Sequence, residues 1–195
     1  MTGSSGRRAS HAERRERRAA VDDPAVVLEA SARFLEVRSR SVAEVRRRLT
    51  SAGYRPDLVE GAIERLSELG MLDDDAFARA WVESRDRARP RGERAIRQEL
   101  ALKGVDRATV DLVLGERREA IAGIPVDDGE TVSPDRAAAD RLIARNARAL
   151  GRIVDPRQRR QRAYALLARN GFDPEVCRTV AASIERDVVE DGDDD

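Results

Sequence analysis

The sequence predicts an all-α protein of three tandem three-helix modules, with a disordered basic arm before them and an acidic tail after them. Three observations predict it. The 195 residues are 41% hydrophobic but only 3% aromatic, with Ala, Val and Leu set among Arg and Glu, a helix-forming vocabulary. Charged residues make up 38% of the chain, which suits small modules that bury surface by stacking and favours an elongated molecule. One glycine-centred pattern also occurs three times.

The three copies are SVAEVRRRLTSAGYRPDLVEGAIERL (Ser41–Leu66), GERAIRQELALKGVDRATVDLVLGER (Gly92–Arg117) and RRQRAYALLARNGFDPEVCRTVAASI (Arg159–Ile184). They align on Gly53, Gly104 and Gly171, with Leu49, Leu100 and Leu167 before the glycine and Tyr54, Val105 and Phe172 directly after it. Val59, Val110 and Cys177 then correspond, followed by Ile63, Leu114 and Ala181. A glycine that accepts the left-handed conformation ends one helix, and the apolar residue after it pins the exit. Each copy therefore reads helix, turn, helix.

Taken in chain order, residues 1–24 form a basic arm with almost no large apolar side chain, expected to be disordered although able to become helical on a partner. Module 1 spans 25–71. Its first helix, Ala25–Val37, carries Val27, Ala30, Phe34 and Val37 at helical spacing. Ser41 with Glu44 makes a capping box for the second, and Pro56 opens the third. Module 2 spans 72–122 and begins with Asp74–Arg87, where Phe77, Ala78, Trp81 and Val82 share a face. An acidic loop, 123–133, leads to module 3 at 134–188. That module starts after Ser133, a good N-cap, and its first helix carries Ala138, Leu142, Ile143 and Leu150. The tail, 189–195, is nearly all acid.

The 37 Lys+Arg balance the 37 Asp+Glu, but the charge is blocked rather than mixed. Basic runs lie at 7–18 and 141–169, and acids crowd the last eleven residues. Such faces suit phosphate or an acidic protein surface. Lys103 is the one Lys, so nearly every cation is an Arg, the better partner for bidentate contacts. The single Cys177 excludes a disulfide framework and falls on an apolar helical position. No run approaches the roughly 18 apolar residues of a membrane span, and the N-terminus has no secretory h-region, so a cytoplasmic protein is expected. There is no phosphate-cradling glycine loop, zinc-ligand spacing or Ser/His or Cys/His pairing, and His11, the one His, lies in the arm. The expectation is a non-enzyme with no cofactor, metal or catalytic residue.

The run LDDDAFARAWVESRDRARPRGERAIRQELALKGV (Leu72–Val105) resembles the signature segment of the RecX regulatory proteins: an acidic turn, an aromatic helix, a basic stretch, a glycine and a helix ending Lys-Gly. SVAEVRRRLTSAGY and ELGMLDD fit the same pattern, and the resemblance covers roughly 25–186. The third copy departs from it, with Asn170-Gly171 in place of Lys-Gly and no capping box. The resemblance implies three modules in an extended, curved array. It also implies a monomeric partner of the RecA recombinase filament on single- or double-stranded DNA, lying in the filament's helical groove and inhibiting its ATPase and strand exchange, within homologous recombination, DNA repair and the SOS response. Two rivals stand beside it: a direct DNA-binding protein, since three-helix modules resemble helix-turn-helix units, and a helical-repeat scaffold for another partner.

Three Arg groups are candidates for the contact. Arg85, Arg87, Arg89, Arg91, Arg94 and Arg97 flank Pro90 in what reads as a stiff, exposed connection, with the amides at 92–94 opening a helix towards an anion. Arg46, Arg47 and Arg48 fan over about 200° of a helix, so they cannot share one partner, and one is expected to lie over the core edge. Arg157, Arg159, Arg160 and Arg162 have few acids nearby. For each group the alternative is a solvated face with local ion pairs. Phe77 and Trp81 fit an apolar face, with base stacking the alternative for Trp81. Tyr164 stands where the other copies have Arg46 and Arg97, marking an exposed contact or a module interface. The acidic tail is expected to fold back on a basic face and compete with DNA.

Overall fold

The computed structural model describes residues 10–120 and 133–184, and every regular element among them is a helix. In order these are α1 (His11–Ala19), α2 (Pro24–Glu36), α3 (Val42–Ala52), α4 (Pro56–Glu68), α5 (Asp74–Ala88), α6 (Glu93–Lys103), α7 (Arg107–Glu119), α8 (Pro134–Gly151), α9 (Pro156–Arg169) and α10 (Pro174–Ser183). The acidic loop before Ser133 and the acidic tail lie outside the described residues.

The starts of these helices are written locally. Ser41 and Glu44 make the capping box of α3. Asp23, Asp106, Ser133, Asp155 and Asp173 each accept a first-turn amide, and Pro sits in the first turn of α2, α4, α8, α9 and α10. Gly53, Gly104 and Gly171 end α3, α6 and α9 with φ of 104°, 80° and 80°, as the repeat requires.

The described residues up to 77, with 103–105, form one compact unit. Its core is Val27, Val45, Leu49, Val59, Ala62, Ile63 and Leu66, drawn from α2, α3 and α4, and Leu72 from the link to α5, with Phe34 and Tyr54 packed on its edge. The tip of the turn after α6 belongs to this unit. There the Ser41 hydroxyl donates to the Lys103 carbonyl at 2.6 Å, and the Lys103 ammonium lies 2.8 Å from Glu44.

The second unit holds residues 78–102 and the described residues from 106 to 184. Ala138, Ala139, Leu167, Phe172, Cys177 and Val180 form one cluster, and Leu150, Ala163 and Ala181 another; Tyr164 packs half-buried on both. Ile96, Leu100, Val110, Val113 and Leu114 are buried in α6 and α7. Arg117 is buried too, and its charge is matched: Nε and Nη2 reach Asp86 at 2.9 and 2.8 Å, and Nη1 reaches Asp135 at 2.7 Å. Burial works against its protonation, but the two carboxylates outweigh it and hold the pKa above the ordinary value. Asp135 also accepts the Glu93 amide at 3.0 Å, so one acid ties α6, α7 and α8 together.

Two expectations need correction. The arm was read as disordered through residue 24, yet residues 11–19 are helical. Ser10 accepts from the Glu13 amide while Glu13 accepts from the Ser10 amide, a capping box that stands in for the missing apolar stripe. The connection through Pro90 was read as exposed, yet Pro90 and Gly92 are both buried. The Gly92 amide donates to the Asn170 carbonyl at 3.0 Å, and a Cβ at Gly92 would collide with the Gly171 backbone.

Candidate partner-binding surface

The central basic segment, placed by α5 and α6, turns out to be largely neutralised from within. Glu99 is its hub. One oxygen, Oε2, accepts from Trp81 Nε1 at 2.8 Å and from Arg85 Nε at 2.5 Å, while Arg91 approaches Oε1 at 3.5 Å. The Arg85 guanidinium lies over the Trp81 ring, 4.2 Å from its centroid. Trp81 is thus half-buried, with one face covered by a cation, and not a core residue like the buried Phe77. Arg91 also donates to Asn170 Oδ1 at 2.6 Å. Arg97 is held by Asp111 and Glu93, and Arg87 by Glu83. Arg89 and Arg94 are the exposed members with no ion pair among the described residues.

The three consecutive Arg on α3 divide as helix geometry demands. Arg46 makes a bidentate pair with Glu60 at 2.7 and 2.8 Å. The Arg48 guanidinium lies 5.7 Å from the Phe34 ring, over the edge of the core. Arg47 points towards the Lys103 carbonyl at 3.5 Å.

On α9 the balance differs. Arg157 and Arg162 are exposed and have no ion pair among the described residues; the same holds for Arg148, Arg152 and Arg169 nearby. Arg160 is exposed, and Arg159 folds back to the Ile153 carbonyl at 3.1 and 2.9 Å. Asp155, the acid that sequence places beside them, is occupied in capping α9. Arg162 and Arg169 line a cleft of about 820 Å³ between α8 and α9, together with Asn146, Gln158 and Gln161, over the buried Leu150. Asn146, Gln158 and Gln161 were not singled out in the sequence, because isolated amides carry no periodicity. Only the pairing of α8 with α9 brings them to one cleft.

This surface offers guanidinium and amide donors, groups suited to hold an anionic partner. Among the described residues no group of three or more His, Cys, Asp or Glu is placed to hold a metal. The Cys177 thiol is buried, and burial pushes its pKa up, which keeps it an inert core group. Among the described residues no helix is long and apolar enough to cross a membrane.

Comparison with known proteins gives a consistent picture. Residues 28–66 match the first three-helix domain of RecX and residues 73–114 the second. The regulatory protein RecX of Mycobacterium ulcerans is 34% identical over 158 residues, covering 80% of this chain and 84% of that protein. Its counterpart in Mycolicibacterium smegmatis is 31% identical over 150 residues, covering 77% and 74%. The crystal structure of RecX from Lactobacillus salivarius superposes with a TM-score of 0.67 at 18% identity, over 85% of this chain and 98% of that one. A second RecX crystal structure gives 0.63 at 19% identity, over 87% and 72%. The structures speak for the fold alone, but identity above 30% across most of both chains speaks for descent, and the chain belongs to the RecX family of regulatory proteins.

Proposed function

We propose that this chain is a non-enzymatic, monomeric, cytoplasmic regulator that binds the RecA recombinase filament on DNA and restrains its ATPase and strand exchange. Family membership supports the partner. The observation that carries the contact surface is the set of Arg157, Arg162 and Arg169 on α9 and its cleft, which are exposed and have no ion pair among the described residues. A modular chain laid in the filament groove inhibits without chemistry, because it favours the occupied arrangement of protomers over those that ATP turnover requires.

The test is RecA-catalysed ATP hydrolysis on single-stranded DNA. The unaltered chain lowers the rate and co-sediments with the filament. The double reversal Arg157→Glu/Arg162→Glu raises the concentration needed for half-inhibition about tenfold or more, as expected when surface charges meet an opposite partner. Absence of inhibition together with absence of co-sedimentation refutes the reading. Unchanged potency of the double variant removes α9 from the contact; reversal at Arg89 and Arg94 then asks whether the central segment carries it.

A second reading, direct binding to DNA, is favoured by the same cleft, where Gln158, Gln161 and Asn146 stand beside Arg162 and Arg169. It predicts tight duplex binding without RecA and an affinity that falls steeply with salt.

A further inference from the structure

The turns at Gly53, Gly104 and Gly171 share one backbone conformation, and two of them receive the start of another helix in the same way. The carbonyl of the residue before the glycine is the acceptor. Lys103 accepts from the Ser41 hydroxyl at 2.6 Å, and Asn170 accepts from the Gly92 amide at 3.0 Å. Ser41 and Gly92 hold the same place in the repeat, each eight residues before its conserved-register leucine, Leu49 or Leu100. A small residue just inside the arriving helix then closes over the glycine: Ala43 fills the space a Cβ on Gly104 would need, and Ala95 that of Gly171.

Among the described residues no repeat precedes the first, and α1 lies at its turn. Arg18 Nη1 approaches the carbonyl of Ala52, the counterpart of Lys103 and Asn170, at 3.4 Å. Arg15 covers the glycine: a Cβ on Gly53 would stand 2.5 Å from its Cγ and 2.8 Å from its carbonyl oxygen. The Arg18 guanidinium also sits 5.8 Å from the Tyr54 ring.

We propose that the Leu49–Tyr54 turn is a docking surface for a helix end and that α1 is its built-in occupant, an end cap that takes the place of a preceding module. A stacked repeat needs such caps, because each terminal copy otherwise exposes the surface through which its neighbours join. The third repeat begins differently. Arg159 holds the position of Ser41 and Gly92, but α9 starts three residues earlier, at Pro156, so the Arg159 amide is already committed to the Asp155 carbonyl at 2.9 Å. Gln161 and Arg162 stand where Ala43 and Ala95 do in the other copies. The last repeat therefore lacks both the donor and the small residue that would seat it on the first turn of a second copy.

The cap is held by polar contacts, since α1 has no buried residue. Nine residues form at best a marginal helix alone, so the order of α1 depends on its docking. Amide hydrogen exchange of the full chain tests this. The α1 amides exchange at least about tenfold more slowly than those of a free peptide of the same sequence. Gly53→Ala abolishes that protection, whereas Gly70→Ala keeps it. Gly70 also has a positive φ, of 67°, but nothing lies within 4 Å of its Cβ position, so it controls for backbone strain. Arg18→Ala lowers α1 protection severalfold while the amides of α3 keep theirs. Peptide-like exchange of α1 in the unaltered chain, or protection unchanged in both Gly53→Ala and Arg18→Ala, overturns the proposal.

Discussion

Arg117 shows how a charge is tolerated inside a small helical unit. Its side chain is only 6% exposed, and both guanidinium edges meet carboxylates. Removing it leaves Asp135 without its guanidinium partner and Asp86 with only the looser Arg141 at 3.7 Å, so Arg117→Ala is expected to cost about 3–5 kcal/mol in urea unfolding. Arg117→Met combined with Asp86→Asn and Asp135→Asn recovers much of that loss. A loss below about 1 kcal/mol for the single variant contradicts this account. Glu44 makes a pH-dependent contribution. Burial raises its pKa, but hydrogen bonds from Lys103 and Arg38 outweigh burial and bring it to about 2 from an ordinary 4.5. A depressed carboxylate stabilises the fold above its unfolded pKa and loses that contribution as pH falls through the folded one. Stability is therefore expected to drop between about pH 4.5 and 2, by an amount on the order of 3 kcal/mol, and Glu44→Gln to flatten that part of an acid titration followed by circular dichroism.

At the scale of elements, capping decides where helices begin, and Ser41 does so twice over. Its hydroxyl accepts the Glu44 amide and donates to the Lys103 carbonyl. Ser41→Ala is expected to destabilise by about 1–3 kcal/mol, since it removes a cap and also the shorter of the two hydrogen bonds to the part-buried Lys103 carbonyl. Ser41→Thr keeps both bonds where the extra methyl group fits. Thermal unfolding of the two variants separates the roles. Helix α1 is the element least legible in sequence. Its apolar content is too low for a stripe, and the contact that holds it, Arg18 to Ala52, joins residues 34 apart. The capping box of Ser10 and Glu13 was the local signal that could have revealed it.

For the molecule as a whole, equal numbers of cations and anions conceal an uneven distribution of pairing. The central segment and α3 consume most of their Arg internally, whereas Arg157, Arg162 and Arg169 of α9 have no ion pair among the described residues. The double variant Arg157→Glu/Arg162→Glu is therefore expected to alter stability by no more than about 0.5 kcal/mol per site while weakening partner binding. Arg46→Glu breaks the Glu60 pair and is expected to show the reverse pattern: a small loss of stability, with inhibition of ATP hydrolysis intact. Parallel melting curves and ATPase titrations distinguish the two. Loss of partner binding in Arg46→Glu at unchanged stability would move the contact onto α3.

Helix order, turn positions and the repeat were determined by sequence alone, because glycine at positive φ, first-turn proline and side-chain caps act over four or five residues and need no distant partner. Leu49, Leu100 and Leu167 are buried for the same reason: helical periodicity assigns them a face before any packing occurs. Which Arg are spoken for was decided by tertiary structure. Arg91 meets Asn170 across 79 residues of chain, and Arg117 meets Asp86 across 31. A guanidinium on a long side chain takes whichever carboxylate the packing brings within about 3 Å, and neither composition nor spacing encodes that choice. The burial of Pro90 and Gly92, and the ordering of α1 on the first turn, likewise depend on surfaces that exist only after the helices have packed.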